Sequence, residues 1–157
     1  SGTVKSNMAY GDPDASDEQI WQALQIAQAS DFVTEMDGEL DAAIAQGGAN
    51  VSGGQRQRLS IARAVVKQPE IYVFDDAFSA LDVATDARLR AALASHTQDA
   101  AVLIVAQRVS TIRQADQIVV LEHGRIVGVG GHDELLADCE TYREIVESQR
   151  SIEEAAA

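Results

Sequence analysis

Val51-Ser52-Gly53-Gly54-Gln55-Arg56-Gln57-Arg58 decides how this chain folds. Ser52 and Gln55 have capping-box spacing, and Leu59, Ala62, Val65 and Val66 follow on one face, so the residues predict a helix starting at Ser52. Pro69 ends it, because proline disfavours helix in the residue before it. The first-turn amides of such a helix have no intrahelical acceptor, and the helix dipole favours an anion there. Two glycines let that anion come close to the backbone. Ser52 and Gln55 offer further hydrogen-bonding groups. Taken alone, the turn serves equally well as a structural N-cap.

Downstream, Ile71-Tyr72-Val73-Phe74 is a short, wholly apolar run that predicts a strand buried on both faces. It ends in Asp75-Asp76. A carboxylate at the end of such a strand is where P-loop NTPases hold Mg²⁺, and a second acid beside it stands where a base could orient a water. A solvated strand end is the plain alternative. Ser79-Ala80-Leu81-Asp82, which alone reads as a helix cap, leads into a helix carrying Leu89, Ala92 and Leu93. Ala101–Ala106 predicts another buried strand, ending at Gln107. A short helix near 111–114 follows, then a hairpin from Ile118–Leu121 through His123-Gly124 to Arg125–Val129, and helices near 133–137 and 141–148.

Upstream, Ser16 and Gln19 form a second capping-box pair, and Ile20, Ala23, Leu24 and Ala27 line one face of the helix behind them. The stretch from Asp31 to Asn50 reads as short helix and loop. Helix and strand alternate in the middle of the chain, so the expected class is α/β with a parallel core. The expected organisation is a helical part over 1–68, an α/β part over 69–150 and a tail over 151–157.

Composition narrows the function. The formal net charge is −13, which argues against a free nucleic-acid binder. It leaves a phosphate site open, because such a site is local and built largely from backbone N–H groups. The single cysteine, Cys139, fits a reducing compartment and a passive role. No apolar run reaches the roughly 20 residues of a membrane helix. The first residues, Ser1-Gly2-Thr3-Val4, lack an initiator Met and suggest a piece of a longer protein.

In this order and spacing, the three segments resemble the ATP-binding-cassette (ABC) family. Val51–Gln55 resembles its signature motif, Ile71–Asp75 its Walker B strand and Ser79–Asp82 its D-loop. Ser1–Gly11 is similar to the segment after the family's Q-loop, and Asp116–Val127 with Gly131–Leu136 to the exporter-style stretch after the switch residue. The resemblance implies a P-loop NTPase core plus an α-helical signature subdomain. It implies a motor of two cassettes facing head to tail, with each ATP between the Walker A loop of one and the signature of the other. Ser52, Gly53, Gly54 and Gln55 are then expected to contact the γ-phosphate of ATP held by the second cassette. Asp75 is expected to help hold Mg²⁺ at this subunit's own site, Ser79 and Asp82 to belong to the nucleotide-binding set, and Asp82 to signal across the dimer. Gln46 lies near the coupling helices of transmembrane domains, which attach the cassette to the cytoplasmic face of the membrane. An ATPase head of the DNA-repair or chromosome-structure type shares these motifs, but has different sequence after the switch residue.

Two positions depart from the family pattern, and both belong to the subunit's own catalytic site. Asp76 stands where Glu is usual, and Gln107 stands where the switch His is usual. Asp is one methylene shorter than Glu, and Gln does not titrate like His. The expected arrangement is therefore the impaired half of a heterodimeric exporter, its signature completing the partner's site. The alternative is a homodimer in which Asp76 serves as the base.

No Gly-x-x-x-x-Gly-Lys-Ser/Thr stretch occurs in the chain. The Walker A loop is therefore expected to precede Ser1, and its strand to lie between the Walker B and switch strands. On that basis the isolated chain is expected to be weakly stable, inactive and unable to hold ATP tightly, with only 12–67 ordered by itself. Other features have plain readings. Gly128–Gly131 reads as a turn, and His96, His123 and His132 lack metal-ligand spacing. Trp21 reads as helix packing, and Arg56 and Arg58 as solvated or packing side chains.

Overall fold

The computed structural model describes residues 1–156, with side chains described through Ser151. Residues 151–156 of the expected tail are helical, and residue 157 lies outside the described residues. The chain forms two compact units, Ser1–Val105 and Ala106–Ala157. The division is not at the 68/69 boundary expected from sequence, because one core spans that boundary. Ile20, Leu24, Leu59 and Ile61 share it with Tyr72, Phe74, Phe78 and Leu89.

In the first unit, β1 (Gly2–Thr3) pairs antiparallel with β2 (Ala43–Ile44). Thr3 caps α1 (Val4–Met8), which buries Val4 and Met8. α2 (Asp17–Ile26) starts at Ser16 with both capping-box bonds formed, and buries Ile20, Ala23 and Leu24. α3 (Ser30–Thr34) follows. α4 (Gly53–Val66) is N-capped by Ser52 and packs its Leu59, Ala62 and Val65 face into the core against α2. β3 (Ile71–Asp75), α5 (Val83–His96) and β4 (Ala101–Val105) form a strand–helix–strand unit, and β3 pairs parallel with β4.

That pairing corrects two expectations. β3 and β4 bond directly along their whole length, from Ile71 opposite Ala101 to Asp75 opposite Val105, so no strand lies between them. The backbone groups on their facing edges satisfy each other. The expectation of weak stability loses that ground. The strands are also not buried on both faces. Tyr72 and Phe74 are buried and stack at 5.9 Å between ring centroids, whereas Ile71 and Val73 are 65% and 62% exposed. In a parallel pair, residues in register share a face, so exposed Leu103 and Val105 extend the same apolar surface. The packed helices cover only the Tyr72–Phe74 side.

In the second unit, α6 (Val109–Ile112) precedes the antiparallel pair β5 (Ile118–Glu122) and β6 (Arg125–Gly130). His123 and Gly124, both at positive φ, make the two-residue turn. α7 (His132–Asp138) and α8 (Glu140–Ala156) close the chain. Their core comprises Val109, Ile118, Val120, Leu135, Cys139 and Tyr142. Gly128–Gly130 belongs to β6 and Gly131 caps α7, so the expected turn there is strand instead. The reason is packing: a Cβ on Gly128 would stand 2.9 Å from both Cys139 Sγ and Leu135 Cδ2. Cys139 is thus a buried packing residue. Among the described residues, no helix is long and apolar enough to cross a membrane.

Candidate functional site

The turn at Ser52 is built from the backbone outward. Ser52 is extended (φ −66°, ψ 165°) and its Oγ accepts from Gln55 N at 3.2 Å. Gln55 Oε1 accepts from Ser52 N at 2.8 Å. The two side chains therefore spend one function each on each other. What they keep for a ligand is the Ser52 O–H and the Gln55 Nε2 donors. Arg56 N already donates to Ser52 O. The amides of Gly53 and Gly54, at the first two helical positions, have no intrahelical acceptor by geometry. They are the bare donors that the sequence pattern calls for.

Replacing Ser52 with Ala removes the cap without touching those glycines. It should destabilise the domain by about 1 kcal/mol, read as a shift in a denaturant unfolding midpoint.

Two arginines and an asparagine hold the turn from behind. Arg56 Nη1 donates to Gly48 O at 3.0 Å and Val51 O at 2.9 Å. Arg58 Nη1 donates to Gln28 O at 2.6 Å, and its guanidinium lies 4.9 Å from the centroid of the Phe32 ring. Asn50 ties the preceding loop by bonds to Ala45 N and Ala43 O. Both arginines thus make structural bonds, Arg58 while partly buried and Arg56 while still exposed. Burial lowers the Arg58 pKa, against the raising effect of the Asp82 charge.

The turn opens on a cavity of about 470 Å³ lined by Ser52, Gly53, Gly54, Arg58, Ala80, Leu81, Asp82 and Thr85. Its far wall is the Ala80–Asp82 segment, so the structure brings Ser52, Gly53 and Gly54 together with Asp82, while Gln55 and Ser79 lie outside the lining. Asp82 caps α5, its Oδ1 accepting from Thr85 N at 2.9 Å. That hydrogen bond from the Thr85 backbone lowers its carboxyl pKa. Gly54 is the close-approach position: a Cβ there would stand 3.0 Å from Ala80 O. At Gly53 the nearest atom would be Ala80 Cβ at 3.7 Å, an ordinary contact.

Asp75 closes β3 with its side chain exposed, and Asp76 follows in the left-handed region at φ 49°. Asp76 N donates to Val105 O, which holds the strand end to β4. Two adjacent carboxylates are a partial cation site. No cluster of three or more acidic, His or Cys ligands occurs among the described residues. Such a pair suits Mg²⁺, which is typically held by one or two carboxylates together with nucleotide phosphates. Gln107 belongs to the second unit, is exposed, and its carbonyl accepts from Gln149 Nε2 at 2.6 Å.

The reading of the residues gave Gln57 no role, yet Gln57 joins the two halves of the first-unit site. Its Nε2 donates to Asp76 O and to Ser79 Oγ, each at 3.0 Å, and its Oε1 accepts from Ala80 N at 2.9 Å. Its spacing offered a signal. Gln57 lies three residues after Gly54 and therefore on the same helix face, the face turned to Ala80.

Comparison with known proteins places this geometry. The ABC transporter family profile matches residues 2–79. An uncharacterized ABC transporter ATP-binding protein of Mycobacterium tuberculosis is 54% identical over 152 residues, which is 95% of this chain and 26% of that protein. A multidrug resistance ABC transporter ATP-binding and permease protein of Lactococcus lactis is 39% identical over 153 residues, 97% of this chain and 26% of that protein. The structure of a bacterial Atm1-family ABC exporter with ATP bound superposes with a TM-score of 0.90 at 34% identity, covering 94% of this chain and 26% of that one. The chain thus spans about a quarter of the length of the relatives it matches.

Proposed function

This chain belongs to the ABC transporter family of ATP-binding domains, and on that premise we propose that it is part of the ATP motor of a membrane exporter, its signature turn completing an ATP site carried by a second cassette. One observation carries the reading: Gly53 and Gly54 line an open cavity beside exposed Ser52, and their amides have no intrahelical acceptor to compete for them. The export role is supported by the relatives, whose names include a multidrug resistance transporter and an Atm1-family exporter.

In this reading Gly53 and Gly54 donate to the γ-phosphate, with Ser52 O–H and Gln55 Nε2 as flanking donors. These donors are fixed before the nucleotide arrives, so they stabilise the charge that develops on transfer without reorganising. Ala80, Leu81 and Asp82 form the wall facing the second cassette, with Ser79 just behind it. Asp75 contributes a carboxylate to Mg²⁺ at the subunit's own site; the metal, when bound, neutralises phosphate charge. Asp76 weakens that own site by its shorter reach, and Gln107 lacks the titratable ring usual at the switch position. The second cassette is therefore a different chain, with transmembrane domains anchoring both at the cytoplasmic face.

A photo-crosslinking residue at Ser52 of the full-length protein tests this in membranes. It should capture a second ABC subunit in the presence of ATP and not without nucleotide. Nucleotide-independent capture, or none in either condition, would overturn the proposal.

A further inference from the structure

We propose that Gln57 is a positioning residue that clasps the loop 76–80 to helix α4, so that the signature amides and the end of the Asp75–Asp76 strand move as one body. Its carboxamide makes three bonds to three residues that follow the strand. It donates to Asp76 O and Ser79 Oγ at 3.0 Å each, and accepts from Ala80 N at 2.9 Å. Ser79 Oγ itself donates to Asp76 O at 3.1 Å, which closes a small network.

The chemistry demands this side chain. The loop presents two acceptors and one donor to α4. An amide supplies two N–H donors and an acceptor from one uncharged planar group; a carboxylate lacks the donors, an ammonium lacks the acceptor and a neutral imidazole has only one donor. The loop also needs holding. It begins at Asp76, whose φ of 49° is a conformation that non-glycine residues adopt only when their surroundings over-determine it. At the other end of the lever, Gln57 is four residues after Gly53 on one continuous helix, so a shift in the loop is transmitted to the amides of Gly53 and Gly54 without slack.

The consequence is coupling inside one subunit. One end of the clasp holds the backbone that carries Asp76 of the subunit's own site, and the other is the helix whose first amides are offered to the second cassette. The catalytic half of this inference rests on the two-cassette reading above; the clasp itself does not.

The experiment uses the full transporter purified with Q57A and with Q57E. Q57E keeps the volume and the acceptor for Ala80 N, but removes the donors and sets a negative charge against the Asp76 carbonyl. Hydrogen exchange in segment 76–82 should rise about tenfold in both variants, with segment 59–66 unchanged. ATP turnover should fall about tenfold in kcat, with KM for ATP within about twofold of the parent, because a misplaced group affects the transition state more than ground-state binding. Unchanged exchange overturns the clasp. Faster exchange with unchanged kcat overturns the positioning role. Should Q57A fail to assemble, Q57E alone carries the test. A parent transporter with no ATP turnover defeats the two-cassette reading but not the clasp, which the exchange result then decides.

Discussion

Gly54→Val lowers ATP turnover of the full transporter by about 10²–10³-fold, the loss typical of removing a preorganised donor to developing charge. Two effects act in the same direction. The added Cβ meets Ala80 O at 3.0 Å, and a backbone oxygen in a clasped loop has little room to retreat. The branched methyls then reach over the Gly53–Gly54 amides. Overpacking alone costs about 1–3 kcal/mol. Covering the donors adds the electrostatic term, which is the larger in a site that excludes water. Gly53→Ala separates the two. Its Cβ would stand 3.7 Å from Ala80 Cβ, so the fold accepts it. A fall in turnover with Gly53→Ala, at unchanged unfolding midpoint, therefore reports a ligand at the turn. Turnover within about threefold of the parent in Gly54→Val would remove the turn from catalysis, because no donor worth that little stabilises a transition state.

Much of this arrangement was legible from local rules. Both Ser-x-x-Gln pairs become capping boxes with reciprocal bonds, since the cap is satisfied by residues three apart and needs no tertiary partner. The His123-Gly124 hairpin and the strand at 71–75 appear where composition places them. What local rules miss is set by distance along the chain. The apolar run Ile71–Phe74 cannot say which of its faces receives a partner, and half of it is exposed. The β3–β4 pairing is a matter of topology, not of residue type. Gln57 finds its partners 19 to 23 residues away. Val4 and Met8, fully buried, stand four apart on a helix of only five residues, too short for a periodic pattern to announce it. At the site, Ser52–Gln55 and Asp82 read by themselves as helix caps, and the roles proposed for them come from the resemblance to the family. Asp76 and Gln107 were named by departure from a family pattern, and the roles proposed for them depend on a second chain.

That dependence gives the second large effect. Asp76→Asn should leave turnover of the full transporter within about twofold of the parent, while Glu→Gln at the matching position of the second cassette lowers it by about 10²–10⁴-fold, the range for losing a general base. Asn is the right probe for the local structure. It is close in volume to Asp and tolerates the left-handed backbone at φ 49°, whereas Ala would add strain there. The Asp76 backbone bonds to Val105 O, Gln57 and Ser79 also survive the change, so only the charge is lost. If the Asp76 carboxylate is too short to hold the attacking water, removing its charge removes nothing the reaction uses. The opposite result has an equally direct meaning. Turnover abolished by Asp76→Asn would make Asp76 the working base and the transporter a symmetric pair, with both signature turns and both carboxylate sites in use.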